Sequence, residues 1–433
     1  MLSSSRILLW LAPTLLALCS PSTARPQQSG FNYDEENVPE YELPDLLTAA
    51  DGSAVTSAEA WRGRRVEILE LFREEVYGRS PAAPEELRIE VLEEATGALD
   101  GLALRKQVRI HLGADGPSID LLVYSPANAV GPAPAFLAPN YYGNASVIAD
   151  PGIRLSECWI STKKSFGIVD NRNTEATRGV RASRWDIEAM LKRGYAFATF
   201  CYNDVDPDVD DEFKNGVHAR YTATDQDEAG ARLPNAWGSI GAWAWGLSRC
   251  LDTLETDASI DATRVAVMGH SRLGKTSLWA GAQDERFALV ISNNSGCGGA
   301  ALSRRRFGET VARITTAFPH WFCDNFDAYV DREGELPVDQ HMLLALVAPR
   351  PLYVASATED LWADPRGEFE AAKAAAKVYE LLGAEGLPAE QHPAPDQPSQ
   401  GGVAYHLRTG PHGVTAWDWA QYLDFADKHL KRD

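Results

Sequence analysis

Apolar and polar side chains alternate along the chain with two different periods. From residue 58 to 75, apolar positions recur at helical spacing among charged ones and predict a first helix. Two β-branched runs follow at 104–112 and 119–124, and the turn between them contains Gly113 and Gly116, which predicts an antiparallel hairpin. The folded body therefore begins with a helix and antiparallel strands.

Downstream of the hairpin, short apolar runs alternate with longer amphipathic segments. The short runs predict strands at 134–137, 195–200, 265–268, 289–292 and 352–355. The longer segments predict helices at 185–193, 238–256, 275–282, 368–382 and 415–431. Such alternation is typical of a parallel sheet with crossover helices. We predict an α/β protein, a three-layer sandwich with a mostly parallel central sheet and an antiparallel N-terminal hairpin.

The domain organisation follows from the continuity of this series. No repeat, linker or change in composition interrupts it, so the sequence predicts a single domain over residues 25–433. Two long polar stretches, near 161–183 and 204–233, are interpreted as loops inserted into that domain. Loops of this length in a compact domain usually shape a binding site, and we expect the same here.

The first 24 residues have the pattern of a secretory signal. An arginine precedes an apolar run at 7–18, and small residues then lead to Ala24. The run is too short for a spanning helix, so a membrane anchor is the less favoured alternative. Lipid attachment at Cys19 is disfavoured because Leu18 is bulky. We expect cleavage near Ala24 and a secreted or periplasmic protein.

Composition narrows the classes of partner. Hydrophobic residues make up 45% and charged residues 24% of the chain, which suits an ordinary folded protein. The formal net charge of −20 opposes binding to nucleic acid, itself a polyanion. We expect a monomer without a membrane span.

Cysteine spacing gives no sign of a cofactor. No spacing resembles a zinc or haem motif, and no glycine-rich phosphate loop occurs, so we expect neither a metal nor a cofactor. The mature chain would hold an odd number of cysteines, which leaves at least one thiol unpaired unless another chain supplies its partner. The cysteines are Cys158, Cys201, Cys250, Cys297 and Cys323.

The strongest chemical signal is the sequence Gly269-His-Ser271 directly after a buried strand and before a helix. This order predicts a nucleophile elbow, in which a sharp turn exposes a serine at the edge of the sheet in the α/β-hydrolase fold. The second glycine of the usual G-x-S-x-G is absent, because Leu273 occupies its place and Gly274 follows one residue later. The alternative is a serine that merely caps the helix.

A nucleophilic serine of this fold needs a histidine later in the chain. His412 lies in a Gly-Pro-His-Gly loop just before a predicted helix and is the candidate base. His406 remains a competitor. His392 and His429 are expected on the solvated surface, because they lie in a proline-rich loop and at a charged helix end.

The third member of such a triad is an acid that orients the histidine. The strand predicted at 352–355 is followed by Glu359, Asp360 and Asp364. Asp360 is the preferred candidate. Asp364 suits a helix cap better, since Pro365 would then be the first helical residue.

Several motifs together resemble those of the glucuronoyl esterases, carbohydrate esterase family 15, in their bacterial form. The nucleophile segment Gly-His-Ser-Arg-Leu-Gly-Lys resembles the family's G-[CH]-S-R-x-G-K. Further matching segments lie at 76–79, 294–299, 307–310, 346–351 and 360–365, together with the histidine loop. The resemblance therefore extends over nearly all of the mature chain.

The resemblance implies an activity and roles for particular residues. Members cleave the ester between 4-O-methyl-glucuronic acid branches of xylan and alcohols of lignin, so glucuronoxylan and lignin–carbohydrate esters are the implied substrates. Ser271 would attack the uronoyl carbonyl, and Arg272 would help to hold the oxyanion. The residues implied to contact the sugar are Lys275, Glu309 and Trp362.

The chain departs from the family pattern at two places. Asn294 stands where many members carry a glutamate, so the triad charge would come from Asp360, as in members that use the later strand. Fungal members join cysteines beside the serine and the histidine in a disulfide, but here those positions are His270 and Gly413. Packing must then hold the triad.

Two other functions compete with this interpretation. An esterase that removes acetyl or feruloyl groups from xylan would use the same triad without the uronate contacts. A catalytically silent carbohydrate-binding relative would keep the fold alone.

Overall fold

A computed structural model of the chain describes residues 30–84, 87–113, 116–221 and 225–431. The predicted signal at 1–24 lies outside these residues. The strands are β1 (Arg88–Gly97), β2 (Ala103–His111), β3 (Ser118–Pro126), β4 (Ala133–Asn140), β5 (Ile168–Val169), β6 (Arg172–Asn173), β7 (Ala196–Cys201), β8 (Ile260–His270), β9 (Leu289–Asn293), β10 (Leu352–Ala357), β11 (Ser399–Gln400) and β12 (Val403–Arg408).

Helices connect most of these strands. They are α1 (Ala58–Glu75), the single turn α2 (Ala98–Gly101), α3 (Ile187–Lys192), α4 (Ser239–Leu254), α5 (Arg272–Gln283), α6 (Val311–Ala317), α7 (Gln340–Ala345), α8 (Pro365–Leu381) and α9 (Ala416–Leu430). Ser57, at the N-cap of α1, accepts a hydrogen bond from the Ala60 N–H, so α1 begins where its apolar pattern begins.

Ten of the strands form one mixed sheet in the order β1-β2-β3-β7-β4-β8-β9-β10-β12-β11. The pairs from β7 through β4, β8, β9 and β10 to β12 are parallel. The antiparallel pairs β1–β2, β2–β3 and β3–β7 lie at one edge, and β11 pairs antiparallel to β12 at the other. The predicted hairpin is β2–β3, and the predicted mostly parallel sheet is confirmed.

Helices cover both faces of the sheet because the side chains of each strand alternate between two cores. In β8, Val265 and Val267 point into the core that contains α1, α4, α5, α7 and α8. Ala266 and Met268, between and beyond them, point into the opposite core with α3 and α9. This alternation produces the three layers that the sequence predicts.

Three strands of the sheet were not predicted: β1, the two-residue β11, and β12. Strand β12 is fully buried, yet its sequence Val-Ala-Tyr-His-Leu-Arg includes two side chains that usually favour solvent. Those two, His406 and Arg408, share the buried Asp418 as a partner, which compensates for their burial. Strand β1 lies at the sheet edge and is largely exposed, so it lacks the apolar run that marks a core strand.

The turn between β8 and α5 depends on the absence of a side chain at Gly269. A Cβ added there would lie 1.8 Å from the Leu273 carbonyl oxygen, far inside van der Waals contact. Ser271 itself has φ +58° and ψ −128°, a conformation that residues with side chains rarely adopt. The serine is therefore presented on a strained turn at the carboxyl end of a central strand, as predicted.

No helix among the described residues is long and apolar enough to cross a membrane.

We expect Gly269→Ala to lower the free energy of unfolding by about 1–3 kcal/mol, because the new methyl group overlaps backbone that cannot move freely. Gly63 provides the matched control: it is exposed in the middle of α1, and a Cβ there would meet nothing within 4 Å. Gly63→Ala should raise stability by about 0.5–1 kcal/mol. Urea denaturation measures both, and equal effects at the two positions would contradict the steric argument.

Candidate active site

The candidate nucleophile opens onto a cleft of about 620 Å³ at the carboxyl edge of the sheet. Ser271, Arg272 and His412 all line this cleft. Ser271 follows β8 and His412 follows β12, so the parallel strands bring together residues that are far apart in sequence. The backbone N–H of Arg272, first residue of α5, belongs to the helix N-terminus, where N–H groups lack helical partners.

The acid that contacts His412 is Asp360. The distance from His412 Nδ1 to Asp360 Oδ2 is 2.6 Å, and Asn294 Nδ2 donates to the same oxygen at 2.8 Å. The Asp360 side chain is only 6% exposed, whereas the neighbouring Glu359 is exposed to solvent. Asn294 thus provides a neutral donor that supports the acid after the neighbouring strand.

The competing residues have other partners. Asp364 accepts a hydrogen bond from the Gly367 N–H and caps α8, whose first residue is Pro365, as expected. His406 is fully buried between Tyr353 and Asp418, away from the cleft lining.

The expectation that His392 and His429 are solvated was only partly correct. Both side chains are half-buried, and each has a hydrogen-bonding partner: the Tyr405 hydroxyl for His392 and the Gly401 carbonyl for His429. The prolines around His392 and the charges around His429 suggested exposed positions. The contacts that bury these side chains come from Tyr405 on β12 and from Gly401 just before β12. Neither histidine lines the cleft.

His270 packs against the candidate base. The two imidazole rings lie 4.4 Å apart between centroids. The Nδ1 of His270 lies 2.6 Å from the Asn293 side-chain oxygen, and Asn293 in turn donates to the Tyr422 hydroxyl. Burial lowers the pKa of His270 well below its usual value, so the ring contacts His412 as a neutral surface. A buried imidazole, and not a disulfide, thus supports His412 at this position.

Arg272 is held from behind by Asp208, a residue of the predicted inserted loop that sequence reasoning did not single out. Asp208 forms an ion pair with Arg272 and accepts hydrogen bonds from the Tyr202 hydroxyl at 2.7 Å and the Trp321 indole at 2.8 Å. His320 Nε2 lies 2.9 Å from Asp208 Oδ1, the oxygen that also accepts from the Trp321 indole. Burial opposes ionisation of this carboxyl, but the guanidinium and these donors outweigh it and hold the pKa of Asp208 well below its usual value.

The Trp321 ring also fixes the guanidinium from the side. The Arg272 Cζ lies 4.6 Å from the ring centroid, within the range of a cation–π contact. Ion pair and ring together restrict the arginine to one orientation at the cleft wall.

Lys275, Glu309 and Trp362 form a cluster beside the nucleophile helix, but none of them lines the 620 Å³ cleft. Lys275 Nζ lies 3.8 Å from Glu309 Oε2 and donates to the Ser295 carbonyl, and the Glu309 N–H donates to the Trp362 carbonyl. Burial lowers the pKa of Lys275 and raises the pKa of Glu309, although each charge partly offsets the shift of the other. The three residues are therefore brought together as a group adjacent to the cleft.

Glu368 is a second buried acid that no sequence motif marked. It lies in α8 with no exposed surface and accepts hydrogen bonds from the N–H groups of Ser295 and Gly296 and from the Ser356 hydroxyl. Burial raises its pKa to about 7, although these donors favour the anion. Glu368 thus anchors the loop after β9 that begins with Asn294.

The five cysteines of the described residues are all free thiols. No group of three or more histidine, cysteine, aspartate or glutamate side chains within the described ranges is arranged to hold a metal ion.

Comparison with known proteins places this geometry in a family. A family model described as glucuronyl esterase, fungi, matches residues 184–383. A solved structure of a promiscuous CE15 esterase from a marine bacterial metagenome is 52% identical, covers 93% of this chain and 100% of its own, and superposes with a TM-score of 0.87. The chain belongs to the glucuronoyl esterase family, CE15.

Other relatives agree with this assignment. The glucuronoyl esterase from Solibacter usitatus is 46% identical over 92% of this chain and 100% of its own, with a TM-score of 0.86. A 4-O-methyl-glucuronoyl methylesterase from Schizophyllum commune is 32% identical over 79% of this chain and 74% of its own. The protein is a carboxylic ester hydrolase with the α/β-hydrolase fold.

The Asp208–Arg272 contact predicts strong coupling between the two residues. Asp208→Asn should lower kcat for benzyl glucuronate by about 10²-fold, because the guanidinium loses the charge that orients it. In the Arg272→Ala background, the same change should lower kcat by less than about threefold. Steady-state kinetics of the four proteins, each checked for an unchanged thermal midpoint, measure this coupling. Additive losses would show that Asp208 acts on the fold instead.

Proposed function

We propose that this esterase hydrolyses the ester between 4-O-methyl-glucuronic acid side chains of xylan and alcohols of lignin, through a Ser271–His412–Asp360 triad and an acyl-enzyme. The observation that carries the proposal is the 2.6 Å contact between His412 and Asp360 at the cleft that Ser271 lines. Family membership supplies the chemistry of the ester. The named relatives act on glucuronoyl esters, and this assignment extends their activity to the present chain.

The first half-reaction forms a covalent ester with the enzyme. Ser271 Oγ attacks the uronoyl carbonyl carbon while His412 Nε2 takes the hydroxyl proton. Asp360 accepts from His412 Nδ1–H and stabilises the imidazolium that forms. The imidazolium then protonates the alcohol oxygen, and the alcohol leaves.

Water completes the second half-reaction by the same path. His412 takes a proton from water, whose oxygen attacks the acyl carbon. The bond from that carbon to Ser271 Oγ then breaks, His412 returns the proton to Oγ, and the uronic acid side chain leaves with a free carboxyl group. In both halves the negative charge on the former carbonyl oxygen faces the N–H of Arg272 and its guanidinium. Because Asp208 and Trp321 fix that guanidinium beforehand, little reorganisation is needed when the charge develops.

Recognition of the uronic acid is assigned to Lys275, Glu309 and Trp362. Lys275 lies one helical turn after Ser271 on α5, and its ammonium pairs with the Glu309 carboxylate. These two groups supply the donors and acceptors proposed for the sugar hydroxyls. An acetyl group has no hydroxyls to use them. The cluster therefore favours uronate esters over acetyl esters.

Action outside the cytoplasm rests on the signal pattern at 1–24. A plant cell-wall polymer is too large to enter a cell, so an enzyme that cleaves it must be exported. The predicted cleavage near Ala24 meets that requirement.

A second candidate function is the removal of acetyl or feruloyl groups from xylan. It is favoured by one observation, since the 52% identical relative is described as promiscuous. The cleft of about 620 Å³ beside Ser271 has room for an acetyl or a feruloyl group. The substrate comparison below separates the two functions.

We expect benzyl glucuronate to be hydrolysed with a kcat/KM at least about 10²-fold above those for acetylated xylan and feruloyl esters, because only the uronate engages Lys275 and Glu309. Ser271→Ala should abolish all of these activities with an unchanged fold, as judged by circular dichroism. Equal rates on the three substrates would favour the second function, and an active Ser271→Ala would exclude the mechanism.

The identity of the acid gives a separate prediction. Asp360→Asn should lower kcat by about 10⁴-fold, because the amide cannot stabilise the imidazolium or hold the required tautomer. Glu359→Gln is the matched control, since this neighbouring acid is exposed and should change kcat by less than about threefold. Initial rates on benzyl glucuronate measure both. A large loss of kcat in Glu359→Gln together with an unchanged kcat in Asp360→Asn would reverse the assignment.

A further inference from the structure

A second cleft adjoins the one that contains Ser271. Its volume is about 470 Å³, and its walls come from β2, β3 and the loops around residues 157–159, 203–209 and 215–216. Trp159 and Asn203 line both clefts. The two spaces therefore meet at this pair of side chains.

The basic and acidic side chains that line the second cleft balance in number, because Arg109 and Arg172 stand against Asp120 and Glu157. Arg109 forms two hydrogen bonds with Asp120, at 2.6 and 2.8 Å, and Arg172 donates to the Glu157 carbonyl at 2.8 Å. Burial raises the pKa of Asp204 to about 8, so its carboxyl is protonated at neutral pH. With Asp204 neutral, the cleft carries no excess charge to attract an ion, and its polar side chains offer donors and acceptors to a neutral polyhydroxyl ligand.

Trp159 differs from the other tryptophans in the described part of the chain. It is half-exposed, and it has no aromatic ring in contact and no hydrogen-bonding partner among the described residues. The half-exposed Trp185, Trp362 and Trp417 each pack against another ring. An indole face left open between two polar clefts is suited to stacking on the apolar face of a sugar ring.

The chemistry of the substrate requires two exits from the catalytic cleft. In an esterified glucuronoxylan, the alcohol is attached at the carboxyl carbon of the uronic acid, whereas the xylan chain is attached at its anomeric carbon. The carboxyl carbon is attached to C5, and C5 and the anomeric C1 flank the ring oxygen. Their exocyclic bonds diverge, so alcohol and chain leave the uronate in different directions. The aromatic pair Tyr142 and Phe166, with ring centroids 5.0 Å apart, borders the catalytic cleft through Tyr142 and is absent from the second cleft.

We propose that the second cleft is a subsite for neutral xylose units of the polysaccharide chain, with Trp159 as its stacking surface. This inference rests on the proposed function for the identity of the chain. Its structural basis is separate. It depends on the two residues that line both clefts, on the balanced charges of the second cleft and on the open face of the Trp159 indole. The subsite makes the enzyme more efficient on a uronate still attached to its chain than on the free uronate ester.

The test compares benzyl glucuronate with the same benzyl ester carried on xylotriose. In the wild-type chain, kcat/KM should be higher for the longer substrate, and Trp159→Ala should lower the ratio of the two values by about tenfold. Trp159→Phe keeps an aromatic face and should retain most of the ratio. Trp417→Ala is the matched control, because it removes a half-exposed tryptophan outside both clefts and should leave the ratio unchanged.

Three results would overturn the subsite. The wild-type kcat/KM could be equal for the two substrates, Trp159→Ala could lower kcat/KM equally for both, or the loss of kcat/KM in Trp159→Ala could depend on the size of the alcohol. Methyl and benzyl esters of the same carbohydrate separate the last of these.

A binding measurement separates this inference from the proposed function. Calorimetric titration of the Ser271→Ala chain with xylotriose should show binding with a Kd on the order of millimolar that Trp159→Ala abolishes. A wild-type chain that binds xylotriose through Trp159 yet hydrolyses no glucuronate ester would refute the proposed function and leave the subsite standing. Absence of binding together with normal hydrolysis would refute the subsite alone.

Discussion

The whole site depends on the close approach of backbone to backbone at the turn between β8 and α5. Gly269 leaves room for the Leu273 carbonyl, and Ser271 adopts a positive φ on the strained turn. This single turn fixes the serine, the first N–H groups of α5 and the point from which the Arg272 side chain begins. The other functional groups reach the serine by different routes, but each is positioned relative to this turn.

Two buried carboxylates reach the site from loops outside this turn, and each is held there by contacts with other residues. Asp360 lies on the loop after β10 and is held by Asn294 from the loop after β9, which Glu368 in turn anchors from α8. Asp208 reaches Arg272 from the segment after β7. Buried polar groups of this kind are stable only when each has a partner, so the loops at the carboxyl edge of the sheet depend on one another. A change in one loop would be felt at the others.

The sequence was sufficient for the parts of the site that follow from chain order. Ser271 and His412 could be predicted because a serine after a buried strand and a histidine before the last helix occupy fixed places in this fold, and Asp360 because it follows the strand at 352–355. The prediction of a single domain with inserted loops stays a prediction. Asp208 could not be found, because its contact with Arg272 joins residues 64 positions apart and no motif surrounds it. Strand β12 was missed because its polar residues are neutralised by Asp418, a partner on α9 that only the folded chain supplies.

The late position of His412 in the sequence determines how much of the chain is needed before the proposed triad is complete. Its loop follows β12, which joins the sheet by pairing with β10. Both Ser271 and Asp360 precede this loop in the sequence. A polypeptide that ends before residue 412 therefore contains the turn at Ser271 and the Asp360 carboxyl but lacks the imidazole that contacts this carboxyl. In the proposed mechanism such a polypeptide has no group to take the serine proton, so hydrolysis requires the final segment.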